Sequence, residues 1–245
     1  MASGGSIDPM HQFEVTTLLP IQLGNYDISF TNSALFMSLS VLLVTIFLVG
    51  STRGRALVPG RWQSMAEMSY EMVANLLRDN VGSAGRQYFP FVFTLFMFIL
   101  FGNVIGLVPG TFTFTSHIVV TFAMAIIIFL AVTVIGFARH GAGFLRLFFP
   151  HGAPLWTAVI LIPIELVSYL SRPISLSVRL FANMVVGHVL LKVIAGFVIM
   201  LGVFGFIPLG VLVGITALEF LVAALQAYVF TILTCIYLHD AIHLH

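Results

Sequence analysis

The chain has 245 residues, of which 60% are hydrophobic and only 8% charged, with ten basic and nine acidic side chains and a net charge of +1. A soluble domain carries about a quarter of its residues as charges, so this composition, with a mean hydropathy of +1.10, excludes a water-soluble globular protein. The near-neutral balance is uninformative by itself, and no basic patch points to nucleic acid as a partner.

In chain order, residues 1–32 carry Asp8, Glu14 and Asp27 before any apolar run. A secretory signal would open with a basic region and a short apolar core, so none is expected. A spanning helix needs about 20 apolar residues. Residues 33–49, 90–108 and 117–138 meet this, and two longer stretches follow at 155–201 and 206–238, separated by Gly202, Gly205 and Pro208. The expected fold is all-α: a polytopic integral membrane protein of about five crossing helices. It is read as a single membrane domain, with an outer segment (1–32), a first span (33–50), an interfacial helix (60–86), a helix hairpin (90–138) and a long-helix hairpin (155–240). The single cysteine, Cys235, precludes an intrachain disulfide and leaves the redox compartment open.

Basic residues set the direction. Arg53, Arg55, Arg61, Arg78 and Arg86 follow the first span and Arg139 and Arg146 the third, whereas the N-terminal segment and the links at 109–116 and 202–205 have none. By the positive-inside rule the N-terminus lies outside and the C-terminus inside. Between the first two spans, Met65, Met68, Met72 and Leu76 recur at helical spacing, with Glu67, Glu71, Arg78 and Asp79 elsewhere. This predicts an amphipathic helix, either packed on protein or lying along the interface.

A helix over 155–201 would extend about 70 Å, more than twice the hydrocarbon thickness. It is either one tilted helix, bent at Pro163 and Pro173, or two spans with a polar turn at 171–179. The first is preferred, because the second strands Arg172 and Arg179 on the outer side.

Six ionisable residues fall inside these last two stretches: Glu165, Arg172, Arg179, His188, Lys192 and Glu219. Such groups cost a few kcal/mol at the bilayer centre and commonly mark an ion path; snorkelling or a satisfied pair is the alternative, favoured for Lys192 and Arg172. Arg179 stays charged when buried, with Ser175 and Asn183 one turn away on either side. Glu165 and Arg172 precede it at seven-residue steps, so the three share a face with slow drift. If the two long helices run antiparallel about residue 203, Arg179 is level with Gln226 and His188 with Glu219. Glu219 and Gln226, seven apart, share one face. A histidine–carboxylate pair suits proton relay and reads as part of a proton entry path.

The segment from Pro173 to His188, Pro-Ile-Ser-Leu-Ser-Val-Arg-Leu-Phe-Ala-Asn-Met-Val-Val-Gly-His, with Leu-Gln-Ala-Tyr-Val-Phe-Thr-Ile-Leu-Thr from Leu225 to Thr234, resembles subunit a of F-type ATP synthase. The resemblance covers the chain from the first span onward. It implies that Arg179 is the family's essential arginine, that Asn183 and Gln226 are its polar neighbours, and that Glu165 belongs to a cytoplasmic half-channel together with Ser175. Asn103, in Phe-Gly-Asn-Val-Ile-Gly-Leu-Val-Pro, matches a polar position in the second crossing. His188 and Glu219 stand in the order of the mitochondrial and alphaproteobacterial members, swapped relative to the enterobacterial pattern.

The resemblance also implies a non-catalytic stator subunit in a bacterial inner membrane, N-terminus periplasmic and C-terminus cytoplasmic. Its partners would be a ring of c subunits bearing a membrane carboxylate, peripheral-stalk b-type subunits, the whole ATP synthase complex and the lipid bilayer. No cofactor and no metal are expected. Two other classes fit the residues less well. A membrane metalloenzyme would use His239, Asp240, His243 and His245, but a catalytic site needs further convergent ligands, and His117, His140 and His151 are scattered. A stand-alone secondary transporter would show internal repeats and paired broken helices, which the chain lacks.

Overall fold

The computed structural model describes residues 13–20, 22–23, 26–27, 29–53, 58–108, 110–141, 143–144 and 158–243. Asp8, Arg55, Arg146, His151 and His245, named above, lie outside the described residues, as do 155–157 at the start of the first long stretch.

Among the described residues six α-helices carry the fold: α1 (Asn32–Thr52), α2 (Arg61–Val81), α3 (Phe89–Gly106), α4 (Ile118–His140), α5 (Ala158–Met200) and α6 (Phe206–Ile242). Five helical stretches among the described residues are long and apolar enough to cross a membrane, and they correspond to α1, α3, α4, α5 and α6. The all-α expectation gains one feature. The N-terminal segment forms short antiparallel pairs, β1 (Thr17–Leu19) with β4 (Phe30–Thr31) and β2 (Gln22–Leu23) with β3 (Tyr26–Asp27). Asn32 joins this segment to α1. Its Oδ1 accepts from the backbone N–H of Ser33 at 2.9 Å, and its Nδ2 donates to the Glu14 carbonyl at 3.0 Å. This side-chain bonding suits a helix start, where backbone N–H groups lack intrahelical partners.

The long apolar stretch is one helix, α5, with Pro163 and Pro173 inside it. A proline removes one backbone donor, and hydroxyls supply bonds close by. Ser171 donates to the Ser168 carbonyl and Ser177 to the Ile174 carbonyl. At the far end Gly202, with φ of +52°, turns the chain into a short 3-10 segment (Gly202–Gly205) that leads to α6.

α2 is helical where the methionine spacing predicted it, but its buried face is different. Ala66, Val73, Leu76, Leu77 and Val81 are buried, whereas Met65 and Met68 are exposed. The expected stripe is therefore rotated, because small and branched residues pack inward while the longer methionines face out. Gly82, at φ +77°, ends the helix by donating its N–H to the Arg78 carbonyl.

The chain divides into two compact units. The first comprises Met1–Ile46, Phe98–His117 and Leu180–Ala227; the second comprises Phe47–Met97, Ile118–Arg179 and Tyr228–His245. In the first, the link after α3 is buried over Phe112–Ser116, and the ring of Phe114 occupies the space that a side chain on Gly102 would need. In the second, α4 buries Thr121, Ala125, Ile128, Val132 and Gly136, with the Phe144 ring against Gly136.

Candidate functional site

In the first unit, α6 presents Glu219, Ala223 and Gln226, which are 8%, 0% and 2% exposed. The seven-residue step puts the carboxylate and the amide on one face, and alanine between them lets neighbouring backbone come close. Asn103 of α3 uses this gap, its Nδ2 donating to the Ala223 carbonyl at 3.3 Å. From α5, Asn183 Nδ2 donates to Gln226 Oε1 at 2.8 Å. One turn further along α5, Gly187 offers bare backbone to the carboxylate of Glu219. A cavity of about 10 Å³, room for about one water molecule, lies between Leu107, Asn183, Met184, His188, Glu219 and Val222.

His188 and Glu219 line that cavity together but are not hydrogen-bonded to each other. This corrects the expected direct pair. The histidine's partner is Thr113, with Nε2 3.0 Å from the hydroxyl, while neither carboxylate oxygen of Glu219 has a hydrogen-bond partner among the described residues. The physical reason lies in the helix. The position that mirrors Glu219 about residue 203 is Gly187, and His188, one residue on, is rotated by about 100° toward the link. Thr113 also donates to the Gly106 carbonyl at 3.1 Å. A separate, larger cavity of about 480 Å³ is lined by Glu14, Asn32, Phe36, Thr111 and Lys192.

The second unit holds the other charged residues of α5. Arg172 donates from Nη1 to Asp240 of α6 at 2.9 Å, and its guanidinium lies over the rings of Tyr169 and Tyr237, 5.3 and 5.0 Å from their centroids. Arg172 is thus a satisfied pair, as the structural alternative required, and Asp240 is engaged away from the histidines. His239 and His243 pack their rings 4.6 Å apart. Arg179 differs from Arg172. It is exposed on α5, and it makes no hydrogen bond or ion pair among the described residues. The expected shared face has drifted, with Arg172 turned to α6 and Arg179 turned out. Glu165 is half-buried and Ser175 exposed.

Thr113 and Gly187 escaped the sequence reading. A signal for Thr113 was present in Thr111-Phe-Thr-Phe-Thr115, where hydroxyls alternate with aromatic rings in a link too apolar for a solvated loop. Gly187 carried no such signal.

Comparison with known proteins follows the same lines. The family described as ATP synthase A chain matches residues 34–239. The chain is 64% identical to ATP synthase subunit a of Paramagnetospirillum magneticum, with 97% of this chain and 99% of that protein covered. It is 63% identical to ATP synthase subunit a of Rhodospirillum rubrum over the same shares. It is 56% identical to ATP synthase subunit a of Mesorhizobium japonicum, with 97% of each covered.

Proposed function

The chain belongs to the ATP synthase A chain family, the proton-translocating membrane-sector subunit of F-type ATP synthase, and on that premise we propose how its residues move protons. Two offset half-channels serve a ring of c subunits, each bearing a membrane carboxylate. A proton enters from the periplasmic side past Lys192, His188, Glu219 and Asn183 and joins a ring carboxylate. The neutral acid tolerates lipid, where the anion could not, so the ring turns with that subunit facing the bilayer. After nearly a full turn the acid meets the cytoplasmic half-channel beside Glu165 and Ser175 and loses its proton.

Arg179 stands between the two paths. Its permanent charge favours the ionised form of an approaching carboxylate, so the proton leaves before that carboxylate passes, and the same charge repels a proton crossing directly. Each charge moved down 100 mV supplies about 2.3 kcal/mol, which a direct leak would dissipate. Asn183 and Gln226 fix the polar groups beside the entry path, and Asn103 supports α6 at Ala223. The chain itself passes protons and carries out no phosphoryl transfer. It acts as a non-catalytic stator, held by peripheral-stalk b-type subunits in a bacterial inner membrane, N-terminus periplasmic and C-terminus cytoplasmic. α5, about 65 Å long, is tilted along the ring.

The observation that supports this reading best is Arg179 itself, a cation exposed on an apolar helix with no hydrogen bond or ion pair among the described residues. An uncompensated cation at membrane depth calls for an anion from another chain. In membrane vesicles, Arg179→Ala is expected to abolish proton-driven ATP synthesis while the complex still assembles. Coupled synthesis at the parent rate in that variant overturns the reading.

A further inference from the structure

Thr113 places one hydroxyl between two groups with opposite needs. Its Oγ1 is 3.1 Å from the Gly106 carbonyl and 3.0 Å from His188 Nε2. The carbonyl belongs to the last turn of α3, whose acceptors lack intrahelical N–H partners. A hydroxyl has a single proton to donate and lone pairs with which to accept. A carbonyl can only accept, and the other hydroxyl near it, that of Thr111, lies 3.5 Å away but only 2.6 and 2.7 Å from the Ile105 and Val108 carbonyls, so the Thr113 proton points to Gly106 and its oxygen is left to accept a hydrogen from Nε2. Thr113 is 4% exposed, so bulk water does not compete for either bond.

We infer that Thr113 holds neutral His188 in the tautomer with its hydrogen on Nε2, leaving Nδ1 as the nitrogen through which this histidine takes up and releases protons. The inference rests on the proton path proposed above and assigns a role within it. A proton arriving at Nδ1 makes an imidazolium whose Nε2–H stays bonded to Thr113. The same Nδ1 then gives the proton up, to water or to the Glu219 carboxylate. Passage through the ring, in at one nitrogen and out at the other, would require Thr113 to hand a proton onward, and the Gly106 carbonyl beyond it is no base. His188 is therefore a one-sided proton acceptor and Thr113 its positioning residue.

The charged and titratable groups around this histidine are Lys192 one turn on in α5, Glu219 from α6 and Glu14, which lines the larger cavity with Lys192. The link adds His117, whose ring stacks on Phe112, and the N-terminal segment adds the edge of Phe13, its ring 6.3 Å from that of His188.

The test uses the assembled complex in membrane vesicles. Thr113→Val keeps the shape and removes the hydroxyl; Thr113→Ser keeps the hydroxyl. Proton-driven ATP synthesis is measured across pH, alongside the amount of complex in the membrane. Thr113→Val is expected to lose about tenfold in rate, equivalent to about 1.4 kcal/mol, and to change the shape of the pH profile, while Thr113→Ser retains both. Set against the residual rate of His188→Ala, adding Thr113→Val should cost nothing further, because the threonine acts through the histidine. A parent-like Thr113→Val, an equally impaired Thr113→Ser, or a full additional loss in the His188→Ala background overturns the inference. The last outcome would leave Thr113 as a cap for α3 alone. If Arg179→Ala abolishes synthesis while the threonine series stays flat, this inference fails and the proton path stands. If Arg179→Ala leaves synthesis intact, the path itself fails.

Discussion

Gly187 of α5 presents bare backbone to the side chain of Glu219 on α6: a Cβ at position 187 would overlap Oε1 and stand 2.9 Å from the carboxylate carbon. Glycine in a helix interior costs roughly 1 kcal/mol relative to alanine. Its presence here makes room for the carboxyl group, which lies beside a cavity it shares with His188 and Asn183.

Gly187→Ala therefore separates stability from function. The obstructed atoms form the far end of a flexible side chain, so the helix is retained and the carboxylate swings aside. Thermal stability is expected to hold or rise slightly, while proton-driven ATP synthesis falls by about tenfold, about 1.4 kcal/mol in barrier. Glu219→Asp, shorter by one methylene, should recover part of that loss when combined with Gly187→Ala. Parent-like synthesis in the single variant would show that the contact does not position Glu219.

The same contact shows what the sequence could and could not reveal. Hydropathy located the five helices that are long and apolar enough to cross a membrane among the described residues, and it was the placement of Arg172 and Arg179, not length, that favoured α5 as one helix. The seven-residue step correctly put Glu219 and Gln226 on a single buried face. Depth was legible only in part: Glu219 does meet its mirror position, Gly187, but Gln226 is met by Asn183 and not by Arg179. Contact was not legible from depth. The residue opposite Glu219 is one that has no side chain, and a rotation of about 100° per residue sends His188 to a threonine in the link. Hydropathy scoring is blind to a hydroxyl in a connecting segment, and pairing rules look for charges. The partner of Arg172 was hidden for a similar reason. Asp240 reads as a polar helix end until the antiparallel return of α6 brings it alongside α5.

That pair carries its own prediction. Arg172 and Asp240 are 20% and 27% exposed and 2.9 Å apart, so screening is partial and the pair outweighs a surface bridge. Asp240→Asn should lower stability by about 1–2 kcal/mol, since the tyrosine rings still hold the guanidinium. Arg172→Lys should cost a similar amount, because an ammonium lacks the planar face that lies over Tyr169 and Tyr237. The Arg172→Met, Asp240→Asn double variant should be less destabilised than the sum of its singles, because neither partner is left charged and alone. Thermal inactivation of the detergent-extracted complex gives the comparison, and an Asp240→Asn variant as stable as the parent would remove the pair's significance.

The last prediction concerns pH and rests on His117, which precedes α4 and stacks on Phe112 with ring centroids 5.0 Å apart. Burial lowers its pKa from the ordinary 6.5, by penalising the charged ring. The folded state therefore binds this proton less readily than the unfolded chain. Above pH 6.5 the ring is neutral in both states and its titration adds no dependence on pH. Below 6.5 the unfolded chain takes up the proton first, so stability falls as pH drops toward the lowered folded value, by at most about 1.4 kcal/mol per pH unit for one group. His117→Gln has no proton to gain in this range. Subtracting its stability–pH curve from that of the parent should leave a difference that is level above pH 6.5 and slopes downward beneath it. A difference curve that is flat throughout would mean that His117 titrates alike in both states.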